Sequence, residues 1–287
     1  MWFTLVVIID LFLAWFITSG IVNALVYLFS IPMHLPRIIM EDLFVPNGFI
    51  TLVYFLPNAL LIGIYFMFSL PRSEAFRSWS GWDRFRNTII ISGDPAHRDQ
   101  QVIYAVSPHG IHGEGVIMHF VMSKKDVTVV STSLLFYIPI VREFASLAGA
   151  KPANTATIAR LLDSGKTIVM IPEGLRGAIT PDDMSVLRTR KGFVRSAVTA
   201  KVPIMPVYMQ GVDKLYTTYH PFPWLQRLLL SKYYYPWFIV NFGWWGSFWP
   251  KPDKTIHVRY GKMIPTVGRE VDDVFQDFLD EMEFLRR

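Results

Sequence analysis

The chain has 287 residues, of which 52% are hydrophobic, 15% aromatic and 18% charged, with a net charge of +5 and no cysteine. A charged fraction below the roughly 25% of soluble domains biases it towards a membrane, and its length allows one large domain or two small ones. Disulfides, thiolate chemistry and cysteine-ligated metals are excluded, and no basic run interleaved with aromatics points to nucleic acid.

Residues 2–29 are almost continuously apolar, interrupted by Asp10, Thr18, Ser19, Gly20 and Asn23. That is long enough to span a bilayer, which takes about 20 apolar residues. The run has no basic leading region and no small-x-small cleavage site, so it does not read as a signal peptide. Pro32 and Pro36 end it. A second apolar run covers 49–70, broken by Pro57 and Asn58. The two predict an N-terminal transmembrane helical hairpin over 1–70, either spanning or re-entrant. The loop between them holds Arg37 beside Glu41 and Asp42, whereas Arg72, Arg77, Arg84, Arg86 and Arg98 follow the second run. This asymmetry predicts both termini and the remaining chain on the cytosolic side. Residues 71–99, with Trp79 and Trp82, read as an interfacial connector.

Beyond residue 100, short β-branched runs alternate with helical stretches. Strands are expected at 101–106, 127–131, 167–171, 204–208 and 255–260. Helices are expected at 113–123, 138–148, 154–164, 192–200 and 271–285. Asn154 is placed to cap its helix and Gly165 to end it. The pattern predicts one α/β domain over 100–287, a mixed sheet flanked by helices. Within it, residues 224–252 concentrate Trp224, Trp237, Trp244, Trp245 and Trp249 with three consecutive tyrosines. This reads as an aromatic membrane-contacting insert, or as a cover over the sheet.

The first chemically loaded stretch is Val106–Gly115, VSPHGIHGEG. An imidazole (His109) and a carboxylate (Glu114) follow a strand on a glycine-loosened turn. A general base needs such a pair, with the carboxylate fixing the tautomer and stabilising the imidazolium. A second stretch, IPEGLRGA, puts Glu173, Gly174 and Arg176 at a strand's C-terminal end, where α/β folds place their sites. Arg176 suits a phosphate; Glu173 suits a hydroxyl or a basic group. Arg142 either binds an anion or pairs with Glu143. Arg188, Arg190, Lys191 and Arg195 surround Gly192, either as a solvated basic face or as a receptor for the phosphates of a nucleotide-like cosubstrate. Ser164–Thr167 is not a P-loop, since Arg160 occupies the required glycine position, and no G-x-S-x-G is present. His109, His112, His119 and Glu114 lack H-E-x-x-H spacing, so no metal is expected.

These blocks, in this order, resemble the glycerolipid acyltransferases, most closely the diacylglycerol/monoacylglycerol acyltransferase branch. SPHG is similar to that branch's HPHG, with Ser107 in place of its first His. His109 with Glu114 resembles the H-x-x-x-x-D box of the wider superfamily. PIVREF (139–144) is similar to the second block. IPEGLRGA lies between the PEGTR box and the branch's Gly-Gly-rich box. RKGFVRSA (190–197), VPIMPVYMQGVDKLY (202–216) and GKMIP (261–265) resemble the branch. His112 has no counterpart in the matched motif.

The resemblance implies acyl transfer from acyl-CoA to a mono- or diacylglycerol hydroxyl at a bilayer. His109 would be the base and Glu114 its orienting carboxylate. Backbone amides near Gly110 or Gly174 would hold the oxyanion, and Arg190 and Lys191 the CoA phosphates. Acyl-CoA is then a cosubstrate and no cofactor is implied. In a eukaryote the resemblance places the protein in the endoplasmic reticulum membrane. The alternatives are a lysophospholipid acyltransferase, for which Arg176 speaks, and a non-catalytic lipid-binding protein.

Overall fold

The computed structural model describes residues 67, 70–80, 89–92, 100–121, 126–138, 141–177, 184–226, 228, 240–246 and 250–287. The predicted membrane hairpin falls almost wholly outside them. Among the described residues no helix is long and apolar enough to cross a membrane. The chain divides into two compact units, one of 1–70 with 137–144 and one of 71–136 with 145–287. In the first, buried Arg142 lies 3.8 Å from Glu143 Oε1 through Nη1.

The second unit is built on a seven-stranded sheet. Its strands are β1 (Ile89–Ser92), β2 (Ile103–Ser107), β3 (Thr128–Ser131), β4 (Lys151–Pro152), β5 (Ile168–Met170), β6 (Ile204–Gln210) and β9 (Ile256–Tyr260), in the order β1-β9-β6-β2-β5-β3-β4. All neighbours are parallel except β6 and β9. A further pair, β7 (Thr217–Tyr219) and β8 (Val240–Phe242), forms a separate antiparallel ribbon. Strand β2 is central and buried along its whole length, as its apolar run requires of a strand covered on both faces.

The expected strands and helices of this unit are present with shifted ends. Asn154 accepts from the Thr157 amide at 2.8 Å and caps α4 (Thr155–Asp163), and Gly165 leaves it at φ 73°. Helices α6 (Gly192–Ala200) and α7 (Val271–Arg286) join α4 in covering the sheet. On α7, Val274, Phe275, Phe278, Leu279, Met282 and Leu285 repeat at three- and four-residue intervals and are all buried.

Two parts of the Arg-rich connector depart from an interfacial reading. Ile89–Ser92 is an edge strand paired with β9, an apolar run too short to announce itself by periodicity. Arg77 is buried, donating from Nε to the Val121 carbonyl at 3.1 Å and contacting Glu74 at 3.1 Å. His119 also goes to the core, with Nε2 2.6 Å from the Tyr260 hydroxyl.

Candidate active site

The site forms where β2, β5 and β6 end side by side. Strands that run parallel deliver their C-terminal loops to one edge, so residues far apart in sequence meet there. From β2 the chain passes through Pro108 into His109, which is 6% exposed. From β5 it passes through Ile171 and Pro172 into Glu173, 2% exposed. His109 Nδ1 and Glu173 Oε1 lie 3.6 Å apart. Neither atom has a hydrogen-bond partner elsewhere. The separation is one small adjustment from a hydrogen bond, and such contacts tighten when substrate binds.

Gly177 makes this arrangement possible. A Cβ at that position would collide with Glu173 Oε2 and fall 2.6 Å from both Cβ and Cδ of Glu173. The Glu173 side chain lies directly over the bare Cα of the residue that closes its turn.

Glu114 is placed differently from the sequence expectation. It is the first residue of the short helix α2 (Glu114–Val116), entered through Gly113 at φ 74°. Its Oε1 accepts the His112 amide at 3.1 Å, and the Tyr216 hydroxyl bonds the same carboxyl. Its Oε2 is buried without a partner, and a Cβ on Gly110 (φ 78°) would come within 2.8 Å of it. Glu114 thus ties the histidine loop to itself and to the segment after β6. Burial pushes its carboxyl up from 4.5 to about 7, against the lowering influence of the two amides, His109 and Tyr216. Burial, then Glu114, pushes the Tyr216 hydroxyl well above its ordinary value.

The glycines divide. Gly110 turns the histidine loop, whereas the Gly174 amide is spent on the Ile171 carbonyl at 3.1 Å. The basic block forms a pocket of about 510 Å³ beside the Glu173 turn. It is lined by Met170, Ile171 and Pro172 on one side and by Arg188, Arg190, Lys191 and Arg195 on the other. Arg190 Nε is buried there without a partner, while Lys191 is paired with Asp272 at 2.7 Å and lies over the Phe275 ring. Arg176 is half-buried on the turn after Glu173 and does not line this pocket. Among the described residues no group of three His, Asp or Glu side chains is placed to hold a metal.

Sequence reasoning missed Tyr216. It was visible only as the end of a matched block, because its role depends on β6 running beside β2.

A buried imidazole with a carboxyl neighbour stands at a parallel sheet edge near a cationic pocket, an arrangement whose chemistry allows proton transfer beside an anion. A family model described as diacylglycerol acyltransferase matches residues 53–238, well over half of the 287. The chain belongs to that family. It is 29% identical over 163 residues to diacylglycerol O-acyltransferase 2 of Bos taurus, covering 50% of this chain and 45% of that protein. It is 28% identical over 175 residues to diacylglycerol O-acyltransferase 2-like protein 6 of Homo sapiens, covering 54% and 52%. The chain spans about half the length of these curated relatives. The solved structure of a 1-acyl-sn-glycerophosphate acyltransferase from Thermotoga maritima superposes with a TM-score of 0.48 at 16% identity, over 83% of this chain and 90% of that one.

The Glu114 environment makes a pH prediction. A carboxyl raised in the fold contributes stability that is complete below its unfolded value near 4.5 and is lost as pH rises through about 7. Glu114→Gln removes that loss. Thermal melting at pH 5 and pH 8 is expected to show the variant gaining on the wild type at pH 8; an equal gap at both pH values contradicts the assignment.

Proposed function

We propose that the protein is a membrane-bound, acyl-CoA-dependent O-acyltransferase that esterifies a mono- or diacylglycerol hydroxyl. The observation that carries this is the His109–Glu173 pair, 3.6 Å apart beside the cationic pocket. The relatives, named for diacylglycerol O-acyltransferase activity, support the acceptor class. The pocket supports an anionic cosubstrate, toward which Arg190 brings a buried Nε without a partner.

In this reading His109 takes the proton of the acceptor hydroxyl as its oxygen attacks the thioester carbonyl. The carbon–oxygen bond forms, the tetrahedral oxyanion is held by the Gly110 amide, and the carbon–sulfur bond breaks. The proton held by His109 then neutralises the departing CoA thiolate. Glu173, on the Nδ1 side of the ring, orients the imidazole and stabilises its charged form. Glu114 is a weaker counter-charge, being half-protonated near pH 7 and already engaged by the His112 amide and Tyr216. Glu114 instead secures the loop. Arg142 and Arg176, the other cations expected to hold phosphate, are assigned no step.

The apolar runs at 2–29 and 49–70 support a hairpin anchor, and the arginines after it support a cytosolic site with both termini on that side. There a water-soluble thioester and a lipid hydroxyl can meet. In a eukaryotic cell the corresponding membrane is the endoplasmic reticulum.

The test is transfer of labelled oleate from oleoyl-CoA by the full chain in detergent, offered diacylglycerol, monoacylglycerol or lysophosphatidate. Neutral lipid product is expected, and label only in phospholipid contradicts the acceptor assignment. His109→Ala is expected to lower the rate by about 10²-fold or more, the scale of a lost general base; wild-type turnover would remove His109 from the mechanism. Gly177→Ala, which displaces Glu173, is expected to cost about tenfold or more in rate and to lower the melting temperature, because the added Cβ also crowds the Glu173 Cβ.

A further inference from the structure

We propose that Asn241 selects an acceptor with two free hydroxyls, a monoacylglycerol, by binding the hydroxyl that does not react. This rests on the acyltransferase reading above and names its substrate more closely.

The ribbon of β7 and β8 has two unlike faces. Thr217 opposes Phe242, Thr218 opposes Asn241, and Tyr219 opposes Val240. Opposed residues share a face and successive pairs alternate. Tyr219, Val240 and Phe242 therefore lie on one face, and all three are exposed. Asn241 takes the other face and is turned to the histidine loop, with Nδ2 3.5 Å from His112 Nε2. Its Oδ1 is buried and has no hydrogen-bond partner.

A buried amide oxygen without a partner weakens the fold, and an apolar residue would serve packing better. Function explains its presence if a ligand completes it. An amide oxygen only accepts, so the ligand group must donate. Diacylglycerol has one hydroxyl, which it gives to His109. Monoacylglycerol has a second to give to Asn241.

The position suits that use. His112 stands three residues from His109, so their Cα atoms are at most about 10 Å apart. The His112 ring meets Tyr216 edge-on at 5.3 Å, and Tyr216 bonds Glu114 of the same loop. These contacts lie on the β6 side of β2, whereas Met170, Ile171 and Pro172 of the cationic pocket follow β5 on the other. The acceptor and the anionic cosubstrate then have separate sites around the histidine loop. The exposed aromatic face of the ribbon suits a lipid arriving on that side.

The test compares oleoyl transfer to monoolein and to dioleoylglycerol by wild type, Asn241→Leu and Asn241→Asp. Asn241→Leu is expected to raise KM for monoolein about tenfold, the scale of one lost hydrogen bond, with KM for dioleoylglycerol and for oleoyl-CoA unchanged. Its melting temperature is expected to match or exceed that of the wild type. Asn241→Asp retains the accepting oxygen and is expected to retain the monoolein KM, which covers the case of a leucine variant that does not fold. Equal shifts for both acceptors, no shift with Asn241→Leu, or loss of the monoolein KM in Asn241→Asp overturns the inference while leaving the acyltransferase reading intact. A wild type that transfers to neither acceptor overturns the mono- or diacylglycerol reading on which the inference rests.

Discussion

The adjacency of two parallel strands governs the site. Strand β2 pairs with β5 in register from Ile103 opposite Ile168 to Ala105 opposite Met170. Both strands point their C-terminal ends to the same edge, so the turns that follow must leave side by side. One carries His109 and the other Glu173. The backbone ladder brings the two turns together, the bare Cα of Gly177 leaves room for the Glu173 side chain, and the two side chains then approach to 3.6 Å. Burial of both groups raises the strength of whatever interaction they make, because little water screens it.

The other neighbour of β2 does a different job. Strand β6 continues into Tyr216, which bonds the Glu114 carboxyl, while Glu114 accepts the His112 amide of its own loop. A loop turned by Gly110 and Gly113, both at positive φ, is thereby held at a second point. Of the two carboxyls in reach of the loop, Glu114 has its oxygens turned to that loop and to Tyr216, and Glu173 faces the imidazole nitrogen. In the proposed reading the first secures the loop that carries the histidine, and the second orients its ring.

Much of the sheet-bearing unit was legible in the sequence, because β-branched runs such as Val102–Val106 and the Asn154 cap are local signals. The two-residue β4, the ribbon of β7 and β8, and the edge strand at Ile89–Ser92 were not. Each is too short to show a period and is defined only by its partner. Motif chemistry singled out His109, Glu173 and the basic block, which the structure places near one another at one sheet edge. The pairing of His109 was read along the chain, and Glu114 lies five residues on. Sequence distance favoured Glu114, whereas the sheet brings in Glu173, sixty-four residues away, because β5 is a crossover neighbour. Tyr216, seen only as the end of a matched block, and Asn241 carried no local signal of a role; their meaning depends on strands that meet only in the fold.

The direct test of this account is a comparison of Glu173→Gln with Glu114→Gln, each shape-conserving, by kcat/KM for acyl transfer with matched melting temperatures. The account predicts a fall of about 10²-fold or more for Glu173→Gln and less than about tenfold for Glu114→Gln. The reverse order, with Glu114→Gln nearly inactive and Glu173→Gln close to wild type, would return the orienting role to Glu114 and contradict it.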